Sequence, residues 1–369
     1  MNKNLPLFTK AILLLSIIYI WPSCQKKDND PPTPVPNTDT TVTPTDTTPL
    51  KGWIVSTFAG AASTFGYVDG NATQARFSSP NDITQDITGD LYVMEQINRT
   101  IRKVTLAGQV STLVKEDSSA GVLLRYIGYF LSDGYGRLYY PYNYTHIRTV
   151  TANSASIFAG STTSGYQDGQ DISARFNNVM SIARDGKGNL YVADRNAQNQ
   201  FVLRKITSSG YVSTLTINDQ TGISSNSTSS LSYHTLAADS AGIIYFSSGS
   251  FNVIKKVDPQ GNVTVLAGST TTGFKDGKGQ DAQFNGIVDL DVDHAGNVWV
   301  CDVRNNAIRK VAPDGTVTTI AGNGTPGYVN GEGSKARFNM PWGITINKNG
   351  TMYMVEANNH AVRKIEYRQ

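Results

Sequence analysis

The chain has 369 residues, a formal net charge of +3 and two cysteines. Its length allows a sizeable hydrophobic core, and a charge this close to zero excludes the strongly basic field that recruits nucleic acid. Two cysteines are too few for a disulfide framework, so the composition indicates a globular protein held together by packing.

Residues 1–24 have the pattern of an export signal. Lys3 and Lys10 precede the apolar run AILLLSIIYIW, which is too short to span a bilayer as a stable helix and is typical of a signal-peptide core. The run ends at WPSC, which resembles a bacterial lipoprotein signal of the Bacteroidetes type, in which Cys24 becomes the acylated N-terminus. The resemblance implies an outer-membrane lipoprotein that faces the periplasm or the cell surface. Ordinary signal cleavage near Ser23 is the alternative.

Residues 25–51 are predicted to be a disordered tether. They include the stretch PPTPVPNTDTTVTPTDTTPL, which consists of Pro, Thr and Asp with almost nothing apolar to bury. The tether would hold the rest of the chain away from the membrane, so the only contact with lipid would be the anchor.

Residues 52–369 contain a repeat with a period of about 50 residues. Each unit has a short apolar strand core, a small polar turn just upstream that begins with Asp or Asn, and an apolar residue followed by a base downstream. The six cores begin at Leu91, Leu138, Leu190, Ile244, Val298 and Met352. Alternating apolar positions between Gly-rich turns predict four short antiparallel strands in each unit, and helical periodicity is almost absent.

Four-stranded units repeated around an axis form a β-propeller, so the predicted fold is all-β with six blades. The sixth unit ends after VRKIEY, before a last strand of its own. The segment IVSTFAG at Ile54 matches the last strand of the fifth unit, TVTTIAG at Thr316. We therefore predict that the N-terminal strand closes the ring, which removes both open sheet edges.

Three motifs carry a family resemblance: GNLYVADRN at Gly188, NAIRKVAPDG at Asn306 and NHAVRKI at Asn359 look like NHL repeats. The resemblance covers residues 52–369 and implies a propeller. It implies little about function, because NHL-like propellers serve as enzymes, RNA binders, protein binders and sensor domains. RNA binding requires a compartment that contains nucleic acid, which an exported chain lacks.

Four glycine loops connect consecutive units, and they share an aromatic residue, an acid or Asn followed by Gly, and a later Phe. They are GYVDGNATQARFS from Gly66, GYQDGQDISARFN from Gly165, GFKDGKGQDAQFN from Gly273 and GYVNGEGSKARFN from Gly327. Each holds only one or two candidate acids where a calcium loop needs several oxygens, so we predict structural joints. The aromatic residues would pin each loop over the joint between blades, and the glycine after the acid would permit a positive φ that a β-carbon resists.

The glycine loops and the turns between second and third strands are predicted to share one face, called here the loop-bearing face. The connections into blades 2 and 4 lack a loop, and Tyr142, Tyr144 and His146 of the aromatic-rich blade 2 fall on its turn at this face. Exposed aromatic side chains there predict a platform for a sugar ring or a protein partner. Packing of the tyrosines into the uncovered joint is the alternative.

One position in each unit is predicted to face the central channel. These six residues are Asp82, Tyr129, Ser181, Thr235, Asp289 and Gly343. Tyr129 and the nearby His234 join the ligand-binding candidates. Asp82 and Asp289 are candidates for holding a cation, as the resemblance to calcium-dependent six-bladed lactonases implies.

A recurrent acid and a recurrent Arg on neighbouring strands are interpreted as repeated cross-strand pairs. The pairs are Glu95 with Arg102, Asp194 with Arg204, Asp302 with Arg309, and Glu356 with Arg363. No nucleophile stands beside a base in a catalytic pattern.

The predicted function is an exported, lipid-anchored module that binds a glycan or a protein on its loop-bearing face. The alternative is a metal-dependent enzyme of the lactonase or lyase type with its site at the channel mouth. No cofactor is predicted, apart from calcium in that alternative.

Overall fold

The computed structural model of the chain describes residues 51–62, 64–119, 122–124, 128–152, 154–222, 235–247 and 252–369. Cys24 and His234 lie outside these residues, as do residues 1–24 and almost all of the predicted tether. Among the described residues, no helix is long and apolar enough to cross a membrane.

The described residues form short β-strands almost throughout. In chain order the strands are β1 (Gly52–Gly60), β2 (Gly70–Asn71), β3 (Pro80–Gln85), β4 (Leu91–Glu95), β5 (Thr100–Val104), β6 (Gln109–Lys115), β7 (Leu131–Ser132), β8 (Leu138–Tyr142), β9 (His146–Thr151) and β10 (Ser154–Gly160). They continue with β11 (Gly169–Gln170), β12 (Ser181–Arg184), β13 (Leu190–Arg195), β14 (Phe201–Ile206), β15 (Tyr211–Thr214), β16 (Asn218–Asp219), β17 (Leu236–Ala238), β18 (Ile244–Ser247), β19 (Val253–Val257) and β20 (Asn262–Gly268). The last are β21 (Gly277–Lys278), β22 (Ile287–Val292), β23 (Val298–Asp302), β24 (Ala307–Val311), β25 (Thr316–Ala321), β26 (Gly331–Glu332), β27 (Pro341–Ile346), β28 (Met352–Glu356) and β29 (Ala361–Arg368). Three 3₁₀ turns complete the described elements: Asp171–Ser173, Gly279–Asp281 and Val303–Asn305.

The strands assemble into six sheets, which are the blades of a six-bladed propeller. Blade 1 is β3 to β6, blade 2 is β7 to β10, blade 3 is β12 to β15, blade 4 is β17 to β20, blade 5 is β22 to β25, and blade 6 is β27 to β29 with β1. This confirms the all-β, six-bladed prediction. The core lies between the blades: six clusters of buried apolar side chains each join one blade to the next.

The N-terminal strand closes the ring, as predicted. β1 runs antiparallel to β29, with Val55 opposite Ile365, and supplies the outermost strand of blade 6. The first strand of the repeat region therefore pairs with the last, so blade 6 exposes no unpaired β29 edge to another molecule.

Five blades have a fifth strand that the sequence did not predict. In blades 1, 3, 5 and 6 it is the two-residue strand of the glycine loop, which pairs antiparallel with the outermost strand of the blade that the loop leads into. In blade 4 the strand β16 pairs parallel with β20. Each loop thus covers the outer edge of its own blade and does not merely join two blades.

A buried arginine fixes each glycine loop, as blade 5 illustrates. The side chains of Arg309 and Asp302 are fully buried, and Arg309 Nη1 donates to Asp302 Oδ2 at 2.8 Å. Arg309 Nη2 donates to Asp276 Oδ1 of the loop at 2.7 Å. The guanidinium lies 5.0 Å from the ring centres of Phe274 and Phe284, so the two loop aromatics enclose it.

The same arrangement recurs in blades 1, 3 and 6, and it confirms the predicted cross-strand pairs. The acid of each loop therefore faces an arginine. In blade 6 the loop residue is Asn330, whose amide oxygen accepts from Arg363 at 2.7 Å. An amide can replace the carboxylate here because the role is to accept a hydrogen bond.

The glycine after the loop acid follows the prediction in three copies of four. Gly70, Gly169 and Gly331 have positive φ values of 143°, 156° and 118°. Gly277 does not adopt a positive φ, so this reason for a glycine does not apply to that copy. A Cβ at that position would be crowded, because it would lie 3.1 Å from the backbone carbon of Asp281.

The buried ion pair of Arg309 and Asp302 leads to a prediction about stability. Replacing Arg309 by Met leaves the buried Asp302 carboxylate without its cation, so we expect the free energy of unfolding to fall by about 3–5 kcal/mol. Arg148→Met is the matched control, because Arg148 holds the same repeat position in blade 2, where the acid is replaced by Tyr142. Its loss should be about 1 kcal/mol or less, as for most substitutions that leave no buried charge behind. Chemical denaturation of both variants measures the difference, and equal losses would contradict the assigned role.

Candidate functional site

The innermost strands of the six blades surround the axis, and their inner edges lack a further strand to pair with. Side chains of neighbouring blades cap the backbone N–H groups of these edges instead. Asp82 Oδ2 accepts from the N–H of Phe130 in blade 2 at 2.7 Å, while its Oδ1 accepts from Ile83 at 2.8 Å. Buried backbone donors need such partners, so Asp82 ties blade 1 to blade 2.

Asp289 performs the same task for three blades. Its Oδ2 accepts from the N–H of Ile344 in blade 6 at 2.8 Å. Its Oδ1 accepts from the N–H of Leu290 at 2.9 Å and from the hydroxyl of Thr235 in blade 4 at 3.1 Å. Asp82 and Asp289, the two metal candidates, therefore both form hydrogen bonds that connect neighbouring blades.

A second level of caps lies one step further along the same strands. Asp291 accepts from the N–H of Ile346 at 2.8 Å, and the hydroxyl oxygen of Thr84 accepts from the N–H of Ser132 at 3.2 Å. Side-chain oxygens that accept hydrogen bonds from neighbouring blades therefore line the axis at two successive levels.

Burial raises the pKa of these carboxyl groups. It raises the pKa of Asp289 to about 7 and that of Asp291 to about 6, against the backbone hydrogen bonds that lower both. Burial, with the nearby Asp289 charge, also raises the pKa of Asp82 well above its ordinary value. Carboxyl groups that titrate near neutral pH in a cavity can exchange protons with a ligand or accept its hydrogen bonds.

Tyr129 crosses the axis. The side chain is buried, and its hydroxyl donates to the carbonyl oxygen of Val288 in blade 5 at 2.7 Å. Blades 2 and 5 are opposite each other in a ring of six, so this hydrogen bond spans the channel. Tyr129 therefore reaches the predicted channel, where its hydroxyl already has a partner.

A cavity of about 540 Å³, called here the central pocket, lies around this axis. It is lined by the later halves of the innermost strands, including Asp82, Asp289 and Asp291, and by the turns that follow them. Since the innermost strands run away from the glycine loops, the central pocket opens on the face opposite the loop-bearing face.

The mouth of the central pocket has an apolar rim, which we define as the lining residues Ile87 and Leu106 together with Tyr135, which directly follows the lining residue Gly134. Ile87 and Leu106 line the pocket and are 62% and 54% exposed, and Tyr135, in the turn of blade 2, is 79% exposed. The N–H of Ile87 donates to the carbonyl of Gly134 at 3.3 Å, which joins the two turns. Small-molecule sites commonly combine apolar surface with a few well-placed hydrogen-bonding groups, and both are present here.

Sequence reasoning missed the apolar rim, although a signal was present. Ile87 follows Asp86 in a hairpin turn where the other units have Gly, Ser, His or Lys, and Leu106 stands where the fifth unit has Pro313. An apolar residue in a turn that is polar in the other units can be recognised in the sequence as an unusual surface residue. Only the folded ring shows that these turns meet at the mouth of one pocket.

The second candidate surface lies on the loop-bearing face of blade 2. Tyr142 is half-buried and its ring centre lies 5.4 Å from that of His146, which is 2% exposed. Tyr144 is 50% exposed and has a positive φ of 61° in the turn. The structure thus brings together Tyr142, Tyr144 and His146, with one of the three well exposed.

The described residues contain no group of three or more His, Cys, Asp or Glu side chains that could hold a metal ion. The loop aspartates are engaged with arginine and threonine: Asp276 Oδ2, for example, accepts from the N–H of Thr319 at 3.0 Å. Asp82, Asp289 and Asp291 all line the central pocket, but they do not form such a group.

Comparison with known proteins gives no match to any family model. A curated relative, SUPPRESSOR OF QUENCHING 1, chloroplastic, from Arabidopsis thaliana, is 34% identical over 95 residues, which are 26% of this chain and 9% of that protein. The match therefore spans a small part of a much longer protein.

Solved structures share the fold. An auxiliary nutrient binding protein from Bacteroides thetaiotaomicron VPI-5482 is similar with a TM-score of 0.65 at 19% identity, over 86% of this chain and 77% of that one. Another from Bacteroides ovatus ATCC 8483 has a TM-score of 0.63 at 19% identity, over 86% and 78%. A streptogramin B lyase has a TM-score of 0.51 at 12% identity, over 86% and 98%. At these identities the similarity establishes a propeller fold that is used by binding proteins and by lyases.

The buried carboxyls predict how stability depends on pH. An unfolded Asp has a pKa of about 3.9, while Asp289 in the fold has a pKa of about 7. The folded state therefore binds a proton that the unfolded chain releases, and this stabilisation is complete at low pH and lost as pH rises through 7. We expect the free energy of unfolding to decrease between about pH 5 and pH 8 in urea denaturation. Asp289→Asn cannot ionise and should show a flatter dependence; an unchanged slope would contradict the assignment.

Proposed function

We propose that this chain is an exported, lipid-anchored NHL-type propeller that binds a soluble glycan in the central pocket. The observation that carries the proposal is the central pocket itself, whose volume of about 540 Å³ falls within the range of ordinary small-molecule sites. The shared fold with two auxiliary nutrient binding proteins supports a binding role without identifying the ligand.

The chemistry of the central pocket favours a carbohydrate among soluble ligands. Sugar rings present hydroxyl groups around their edge and apolar C–H groups on their faces. The carboxyl oxygens of Asp289 and Asp291, together with Thr84 and Thr345, offer hydrogen-bonding groups inside the pocket. Tyr135 at the apolar rim offers an exposed aromatic face for stacking.

Export and anchoring follow from the N-terminal sequence. The apolar run, Cys24 and the Pro- and Thr-rich residues behind it support a lipid anchor followed by a tether. A tethered propeller at the outer membrane can capture a ligand close to the cell surface.

A metal-dependent enzyme of the lactonase or lyase type is the second candidate. The observation in its favour is that Asp82 and Asp289 both line the central pocket. Each of their four oxygens already accepts at least one hydrogen bond, so a cation would share these oxygens with backbone N–H donors. Stoichiometric calcium in the purified protein, lost in Asp82→Asn, would favour this candidate over a binding module.

The glycan proposal is tested by calorimetric titration with a panel of neutral and acidic oligosaccharides. Tyr135→Ala removes the stacking surface and should weaken binding about tenfold, which corresponds to roughly 1.4 kcal/mol. Tyr211→Ala is the matched control, because Tyr211 is an exposed tyrosine on the outermost strand of blade 3, far from the pocket. Binding that is equally strong in Tyr135→Ala, or no binding of any saccharide, would refute the proposal.

The anchor is tested by cell fractionation. Cys24→Ser removes the acylated thiol and should release the protein from the membrane fraction. Cys301→Ala is the control, since Cys301 is the other cysteine and is buried in the propeller core. Retention of Cys24→Ser in the membrane would show that the segment is not a lipoprotein signal.

A further inference from the structure

One half of the central pocket differs from the other in the side chains that face the axis. At the second level, two residues beyond Asp82 and its counterparts, each blade contributes one such side chain. In blades 1, 5 and 6 this residue bears a hydroxyl or a carboxyl group, whereas in blades 2, 3 and 4 it is apolar. In blade order the six are Thr84, Leu131, Ala183, Ala237, Asp291 and Thr345. The central pocket thus has a polar wall and, opposite it, an apolar wall.

Two backbone N–H groups of the apolar wall point to the axis. The N–H groups of Asp185 and Asp239 each donate to a carbonyl oxygen in the hairpin of their own blade. Successive N–H groups of a strand point in opposite directions. The N–H groups of the preceding residues, Arg184 in blade 3 and Ala238 in blade 4, are therefore directed away from their own blades and towards the axis.

Side-chain oxygens cap the corresponding N–H groups elsewhere in the ring. Ser132 in blade 2 donates to Thr84 of blade 1, and Ile346 in blade 6 donates to Asp291 of blade 5. In blade 5, the N–H of Val292 donates to Asp291 of its own strand at 2.8 Å. Each of these caps comes from a polar residue of the second level.

The apolar wall provides no such cap. Leu131 and Ala183 occupy the capping places beside Arg184 and Ala238, and neither side chain can accept a hydrogen bond. The two N–H groups therefore have no acceptor among the described residues, and both residues line the central pocket, where a ligand can reach them. The N–H of Gln85 in blade 1 is uncapped as well, but the groups on both sides of it are capped.

The first level shows that a small hydroxyl is enough to cap this wall. Ser181, two residues before Ala183, accepts from the N–H of Leu236 at 3.1 Å across the same pair of blades. Ala183 has the same relation to Ala238 but carries no oxygen. Alanine at this place therefore leaves both a backbone donor and room for an oxygen atom of a ligand.

The side chain of Arg184 adds a positive charge beside these donors. Arg184 is partly exposed, lines the central pocket, and forms no ion pair or side-chain hydrogen bond with the described residues. Its counterparts at the ends of the other innermost strands are uncharged: Gln85, Ser132, Ala238, Val292 and Ile346. The other cation that lines the pocket is Lys348, in the turn of the opposite blade. A guanidinium beside uncapped N–H groups favours an anionic group of a ligand.

The carboxyl groups of the central pocket belong to other blades and carry reduced charge. Asp82 lies in blade 1, and Asp289 and Asp291 lie in blade 5. Burial raises the pKa of Asp289 to about 7 and that of Asp291 to about 6. Both groups are therefore partly protonated near neutral pH, which lowers the negative charge of the pocket and allows them to donate hydrogen bonds to a ligand.

We infer that the glycan of the proposed function is an acidic saccharide whose carboxylate pairs with Arg184 at the apolar wall. This inference rests on the proposed function and narrows its ligand class. The carboxylate accepts hydrogen bonds from the guanidinium and the backbone N–H of Arg184. A further oxygen of the same sugar accepts from the N–H of Ala238 in the space beside Ala183. Hydroxyl groups on the opposite edge of the sugar meet the polar wall.

The first test isolates the charge of the ligand. Acidic oligosaccharides that contain uronic or sialic acid are titrated calorimetrically into the full chain, each beside its own methyl ester. The ester keeps the shape of the sugar and removes the negative charge, so we expect it to bind about tenfold more weakly or worse. Arg184→Met should weaken binding of the acid by a similar factor and affect the ester much less. Lys205→Met is the matched control, because Lys205 lies on β14 of the same blade, which does not line the pocket.

The second test supplies the missing cap from the protein. Ala183→Ser introduces a hydroxyl in the relation that Ser181 has one level below, so it should accept from the N–H of Ala238. We expect slower hydrogen exchange of that amide without ligand, and binding of the acidic saccharide weakened about three- to tenfold. Ala237→Ser is the control, because it adds the same hydroxyl beside the N–H of Val292, which is already capped.

The outcomes separate this inference from the glycan proposal. Acids that bind no better than their esters, or binding that Arg184→Met leaves unchanged, would overturn the acidic class while the glycan proposal stands. Stronger binding of amino saccharides would also overturn it and would assign recognition to the carboxyl groups of the polar wall. If no saccharide binds, the glycan proposal fails and this inference fails with it.

Discussion

Every blade of a closed ring of sheets leaves two strand edges, one at the axis and one at the periphery, and this structure depends on how both are satisfied. At the periphery of five blades, short segments pair with the outermost strands and are fixed by buried cations such as Arg309. At the axis, Asp82, Asp289 and Asp291 accept hydrogen bonds from backbone groups of neighbouring blades. The repeated motifs of the sequence are largely the residues that perform these two tasks.

The axial caps also give the central pocket its chemistry. Oxygen atoms that tie the blades together are the groups that a ligand would meet, and their burial raises the pKa of Asp289 to about 7. Structural and binding roles therefore reside in the same side chains. A substitution at Asp289 changes both, whereas Tyr135 at the apolar rim is exposed and contributes little to the fold.

Much of the fold was predictable because it follows from local patterns. Six strand cores, Gly turns and the matching segments at Ile54 and Thr316 predicted six blades and the closure of the ring. The acid and arginine of each unit, as in Asp302 and Arg309, lie at fixed offsets on paired strands, so their contact was predictable as well. The loop acid Asp276 was not assigned to the same arginine, because its contact spans 33 residues and depends on the path of the loop.

The sequence alone determined the repeat, the number of blades, the ring closure and the blades that lack a glycine loop. Each of these features follows from residue patterns that recur at a fixed spacing along the chain. Only the tertiary structure decided that the loops cover outer edges and that the polar residues of the channel cap inner ones. It also placed Ile87 and Gly134, the neighbour of Tyr135, at one mouth. These features bring together residues from different blades, and their proximity depends on the twist and packing of whole sheets rather than on any local pattern.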